Sequence, residues 1–349
     1  MSESLASDAA SSRPLAVGST PQPDGQGTVS LHTLDTEGRL GAAVASTSLL
    51  APSWVSWSPD GQRLYVACEG DEGQVATLEA RDEDNGPRLR TLGSVASGGS
   101  GPCHLALTPD GVHLVVANYR DGAVGLIELD ENGVAQELVQ TLQLESSGPH
   151  PRQTSSHAHH VVPHVDSELI SVVDLGGDEI STYRLAGGRL EPVAISPLPA
   201  GTGPRQLVRA IDTAEAWVVG ELSGMLLRLH EEHPGEFRVV EQRPASDRPG
   251  PNDVAHLHID EARRLAYVSN RGPDTVTVFD TSSDELAMLA EVPTAAHPRH
   301  FSVADDLMVV AGLYGNQVQA HRLSERGVPS QGVPTDITSP ACVVPRPVA

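Results

Sequence analysis

The chain has 349 residues, with 46 acidic side chains against 23 basic ones and a formal charge of −23 at pH 7. So acidic a surface repels phosphate backbones and anionic headgroups, which argues against nucleic acid and membrane surfaces as partners. The three cysteines form no CxxC pair, which argues against a disulfide framework or a thiolate zinc site and fits a reducing compartment.

Residues 1–13 are mostly small and polar and lack the basic start and apolar run of a secretory signal. They are predicted to form a disordered tail ahead of a single domain spanning 14–349. No later stretch is apolar enough to span a bilayer, so a cytoplasmic protein is expected. From Leu15 onward one short apolar strand recurs: LAVGS (15–19), LYVAC (64–68), LVVAN (114–118), ISVVD (170–174), AWVVG (216–220), AYVSN (266–270) and MVVAG (308–312). Successive copies lie 42 to 56 residues apart, near the ~40–50 residues of a four-stranded propeller blade. An inner strand precedes most of them, as in WVSWS (54–58), HLALT (104–108), HHVVP (159–163), QLVRA (206–210), AHLHI (255–259) and HFSVA (300–304). Pro59-Asp60-Gly61 and Pro109-Asp110-Gly111 read as the turns between such strand pairs, because glycine tolerates the positive φ of a tight hairpin. Asp-Gly turns there are structural. Trp54 and Trp57 are expected to pack between blades, and no amphipathic helix interrupts the series.

The predicted fold is an all-β, seven-bladed β-propeller. Its first strand, at 15–19, has no inner partner, while ACVV (341–344) ends the chain unpartnered. The C-terminal strand is therefore predicted to complete the N-terminal blade and close the ring, which removes exposed edges.

In each blade the start of the inner strand and the end of the next one must lie at the same channel mouth. His104, His157, His159, Arg205, His256, Arg299 and His300 sit at or near inner-strand starts; Glu69, Asn118, Asp174, Glu221 and Arg271 sit at or just after second-strand ends. All 23 basic residues are arginine, so this mouth offers a local positive pocket within an acidic protein.

Gly148-Pro149-His150-Pro151-Arg152-Gln153, Ser156-His157-Ala158-His159 and Asp174-Leu175-Gly176 followed by Asp178 resemble the β-propeller lactonase family, which contains bacterial 6-phosphogluconolactonases and carboxy-muconate lactonizing cyclases. Gly203-Pro204-Arg205, Ser269-Asn270-Arg271 and Pro298-Arg299 add to the likeness, which extends from about Leu15 to Val344. The chain departs from the family at Gly220, where asparagine usually precedes the glutamate. By resemblance the catalytic set is His157, Arg205, Glu221 and Arg271, with no metal or cofactor. His104, Arg152, His159, Asp174 and Arg299 are expected to contact substrate, Arg152 and Arg299 as phosphate ligands; alternatively Asp174 fixes its loop or orients a neighbouring histidine.

The implied reaction is hydrolysis of a sugar lactone, foremost 6-phospho-D-glucono-1,5-lactone. Opening it needs a proton acceptor, either Glu221 or His157, and donors for the oxyanion. A muconate cyclase, or a propeller that only binds a ligand or protein, is the alternative. The polar mouth favours a small anionic substrate, since interaction propellers expose apolar and aromatic residues. His157-Ala158-His159-His160 also invites a metal, but no third ligand follows from its spacing. A monomer or weak homodimer is expected.

Overall fold

The computed structural model describes residues 14–20, 25–35, 39–84, 86–165 and 167–347; the tail predicted over 1–13 lies outside them. Twenty-eight strands form seven four-stranded sheets, and the described residues contain no helix. Each sheet is antiparallel and ordered from an innermost strand outward. The inner strands are Pro52–Trp57, Pro102–Leu107, Ala158–Pro163, Pro204–Arg209, Asp253–Asp260, Pro298–Ala304 and Pro340–Pro345. This is the seven-bladed propeller, and its ring closes as predicted. Pro340–Pro345 pairs with Leu15–Ser19, with Val17 opposite Val343. Trp57 Nε1 donates to Val344 O at 3.2 Å, tying the closing strand to the next blade.

The apolar second strands are buried on both faces, so they read as continuous hydrophobic runs. Their two-residue period divides each between neighbours. In Arg63–Cys68, Leu64, Val66 and Cys68 pack with Val29 and Leu31 of the closing blade, while Tyr65 and Ala67 pack with Leu114 and Val116 of the following one. The core is therefore a ring of layers between sheets, and burying each valine or leucine in it contributes roughly 1.5–3 kcal/mol.

One irregularity recurs in every blade. Pro52 faces Cys68 and Trp54 faces Ala67, which leaves Ser53 unpaired. The same single-residue bulge leaves Cys103, His159, Arg205, Arg299 and Ala341 unpaired in their strands, and one extra residue lies between Val254 and Leu257. In five of these strands proline immediately precedes the bulge, at a strand start where its missing N–H disrupts no ladder. A bulge bends its strand and re-aims the extra side chain. Here it divides the channel lining into two tiers.

Candidate active site

The upper tier gathers charge around one carboxylate. Glu221 follows the second strand Glu215–Gly220, and its N–H donates to Gly203 O at 2.8 Å. Gly220 leaves no room for the asparagine usual in the family, since a Cβ there would lie 2.3 Å from Ser223 Oγ and 2.8 Å from Thr202 O. The acid is nevertheless firmly held. Arg152 Nη2 donates to Glu221 Oε1 at 2.6 Å, and Arg271 Nη2 lies 2.7 Å from Oε2. Arg205 Nε is 3.2 Å from the same oxygen, but its N–H is not aimed at it and makes no hydrogen bond. His159 Nε2 stands 4.0 Å from Oε2.

Burial alone would raise the Glu221 pKa, but the guanidinium groups, Arg271 first and then Arg205, outweigh it and hold the carboxyl well below its ordinary range. Burial, then Arg271, push the Arg205 guanidinium down to about 9 against the pull of Glu221. Burial and Arg205 likewise hold His159 well below 6.5, so it is neutral. A carboxylate so strongly stabilised as an anion is a poor proton acceptor. Its geometry suits it to clamping guanidinium groups.

His157 is connected through Tyr119. Its ring stacks on Tyr119 with centroids 4.6 Å apart and planes 17° apart, and Tyr119 Oη accepts from Arg152 Nη2 at 2.9 Å. His157 Nδ1 lies 2.6 Å from Tyr119 O. A carbonyl only accepts, so Nδ1 carries a proton and the lone pair available to the uncharged imidazole lies on Nε2. That is the form a general base requires. Arg299 stands apart from the cluster, with Nη2 3.5 Å from Glu69 Oε2 and Nη1 donating to Ser53 O at 3.3 Å.

Asp174 and His104, expected at the substrate, occupy other positions. Asp174 is fully buried: Oδ1 accepts from His157 N at 2.7 Å and Gly176 N at 2.9 Å, and Oδ2 accepts from Ser146 Oγ at 2.8 Å. Both oxygens are engaged in fixing the loop that carries His157, the alternative reading of this residue. The same loop explains Gly176, where a Cβ would lie 1.9 Å from Ser155 O. His104 follows its bulge and falls into the lower tier, its ring packed at a tilt against His160 at 3.8 Å and Trp54 at 4.3 Å. His256 and His300 drop to that tier too, with rings 4.0 Å apart. Asn118 is consumed by its turn, donating to Ser97 O and Ala123 O. Among the described residues no three histidine, cysteine, aspartate or glutamate side chains are grouped to hold a metal ion.

Two further residues contribute: Tyr119, to which sequence reasoning gave no role, and Asp178, which its motif had singled out but which was not placed in the site. Tyr119 directly follows Asn118 at a second-strand end, a position that could have drawn attention to it. Asp178, at φ 53°, joins two arginine-bearing segments. Its Oδ1 accepts from Gln153 Nε2 and from Gly203 N, both at 2.7 Å, and its Oδ2 accepts from Gly201 N at 2.6 Å. One carboxylate thus anchors both the Arg152 loop and the approach to Arg205.

The fold and sequence are shared with known proteins. The family described as "Lactonase, 7-bladed beta-propeller" matches residues 14–345. A 6-phosphogluconolactonase of Bacillus subtilis is 30% identical over 276 residues, covering 77% of this chain and 78% of that protein. The periplasmic gluconolactonase of Pseudomonas aeruginosa superposes with a TM-score of 0.89 at 25% identity, over 96% of this chain and 99% of its own. A Lactobacillus plantarum protein superposes with a TM-score of 0.87 at 25% identity, over 95% and 98% of the two chains. The bulged propeller with its arginine-clamped glutamate therefore belongs to the seven-bladed β-propeller lactonase family.

Proposed function

We propose that this protein hydrolyses a sugar lactone, with 6-phospho-D-glucono-1,5-lactone as substrate and 6-phosphogluconate as product. The observation that carries this reading is the excess of guanidinium over carboxylate at the mouth. Arg152, Arg205 and Arg271 share one buried glutamate, Arg152 also reaching the exposed Asp253 at 3.9 Å, and the carboxylate beside Arg299 is Glu69 at 3.5 Å, so four guanidinium groups face three carboxylates. In a protein of charge −23, such a local positive site favours an anionic substrate. The Bacillus relative supports the phosphorylated lactone in particular.

In this mechanism His157 Nε2 takes a proton from water as the oxygen adds to the lactone carbonyl carbon. The tetrahedral oxyanion accepts hydrogen bonds from Arg205 and Arg271, whose orientation Glu221 maintains. Collapse breaks the bond to the ring oxygen, which takes the proton back from the His157 imidazolium. Arg152, the most exposed of the cluster at 42%, and Arg299 hold the phosphate at the rim. The site lies on a cytoplasmic enzyme in this reading, where a phosphorylated sugar is available.

Initial rates with phosphorylated and unphosphorylated gluconolactone, each corrected for spontaneous opening, test the substrate. A kcat/KM at least tenfold higher for the phosphorylated lactone is expected. Equal values would remove the phosphate from the reading, and no acceleration of either would remove the reaction.

A further inference from the structure

Beneath the arginine cluster the two channel tiers line a small cavity of about 10 Å³. Its walls include Trp54, His104, His160, Arg205, Arg299 and His300. No aspartate or glutamate lines it among the described residues, so its only charges are the two guanidinium groups.

Its histidines are in a defined state. His104 Nδ1 accepts from Val161 N at 3.3 Å, and His300 Nδ1 accepts from Val343 N at 3.3 Å. A ring that accepts at Nδ1 must carry its proton on Nε2. Both rings are neutral: burial, then Arg205 and Arg299, push His300 down to about 3, and burial foremost holds His104 well below 6.5. Each therefore offers an Nε2–H. Trp54 packs against both rings, at 4.3 Å and 5.0 Å, and its buried Nε1–H has no hydrogen-bond partner. Arg205 Nε–H, also buried, makes none either, and His160 Nδ1 is unpaired as well. The Gln206 amide is occupied on both sides by Leu257, donating to its O at 3.1 Å and accepting from its N at 2.8 Å.

A water molecule here would need acceptors for its two hydrogens, and this lining is rich in donors and cations. An anion meets the opposite requirement, since each donor and each guanidinium favours it. The cavity is too small for a tetrahedral oxyanion. We propose that it is a binding site for a single monatomic halide, chloride being the ordinary occupant, seated between the tiers. Such an ion supplies counter-charge to Arg205, which shares Glu221 with two other arginines.

Thermal unfolding of the whole protein in chloride or bromide, against methanesulfonate at equal ionic strength, tests this. The halides should raise Tm by about 2 °C in a saturable way, since a ligand of the folded state stabilises by mass action. Arg299→Gln should lose most of that gain, and Trp54→Phe, which keeps the ring but not the N–H, should reduce it even if the first variant folds poorly. Crystals in bromide should show one anomalous peak between Arg205 and His300. The same Tm in halide and methanesulfonate would overturn the proposal. So would a channel peak without a halide-specific gain in Tm, which would mean an adventitious ion only.

Discussion

Each inner hairpin has two ends built from similar residue types, and they do opposite things with them. At the far end, Ser58 Oγ donates to Asp60 Oδ1, which also accepts from Gln62 N at 3.0 Å, while Arg63 N donates to Ser58 Oγ at 2.9 Å. The next blade repeats this with Thr108, Asp110, Val112 and His113. Gly61 and Gly111, at φ 65° and 74°, complete the two turns. Each aspartate there satisfies local backbone and remains at the surface. At the mouth, the Glu221 carboxylate is buried among arginines contributed by three other strands or loops and, among the described residues, accepts from a guanidinium group where the turn aspartates accept from backbone N–H. Local, repeated hydrogen bonding marks scaffold; a non-repeated charge gathered across blades marks chemistry.

The largest effect that sharpens this contrast is expected for Glu221→Gln. Removing the shared anion should cost about 3 kcal/mol or more, because it leaves buried guanidinium groups uncompensated. Turnover should fall by about 10²-fold or more as their orientation relaxes. The sign in pH follows from the depressed carboxyl. Its stabilisation is complete above the ordinary value of 4.5 and is lost only as pH falls well below that. Urea unfolding of both proteins should therefore show the gap undiminished down to about pH 5.5; a gap that closes there would contradict the clamp. His157→Ala comes next, with turnover reduced roughly 10²-fold by loss of the base and Tm nearly unchanged. Parallel kinetics and melting curves separate it from the glutamate variant.

Asp178→Asn probes the link between the segments that carry Arg152 and Arg205. It should lower kcat/KM about tenfold, mostly through KM, because an amide cannot accept from three donors with both of its atoms. Steady-state kinetics would refute this positioning role if KM stayed constant. The smallest effect belongs to the far end. Asp110→Ala should cost about 1 kcal/mol in chemical denaturation and leave turnover alone; a loss of turnover would break the distinction between the two ends.

Blade number and closure were legible because second strands buried on both faces read as unbroken apolar runs, and because Leu15–Ser19 lacks a partner that Pro340–Pro345 supplies. Glu221, Arg205 and Arg271 were legible from their positions at strand ends. The depth of each residue was not. A one-residue bulge shifts every following side chain, so His104, His256 and His300, read at the mouth, lie a tier below it. Proline two places ahead, as in Pro102-Cys103-His104, marks the bulge only once its pairing is known. Trp54 was expected between blades; it packs there and also closes the channel against His104 and His300. Hydrogen bonds such as Gln153 to Asp178 and Arg152 to Tyr119 join residues 25 and 33 positions apart, beyond the reach of local pattern.

The most direct test of the account is the rate of opening of freshly generated 6-phospho-D-glucono-1,5-lactone by the wild-type protein, His157→Ala and Arg271→Ala, with spontaneous opening subtracted. Acceleration by the wild type that both folded variants lose by about 10²-fold is the predicted result, and it would assign lactone hydrolysis to this mouth. Wild-type rates in both variants would contradict it and remove the arginine-clamped mouth as the place of reaction.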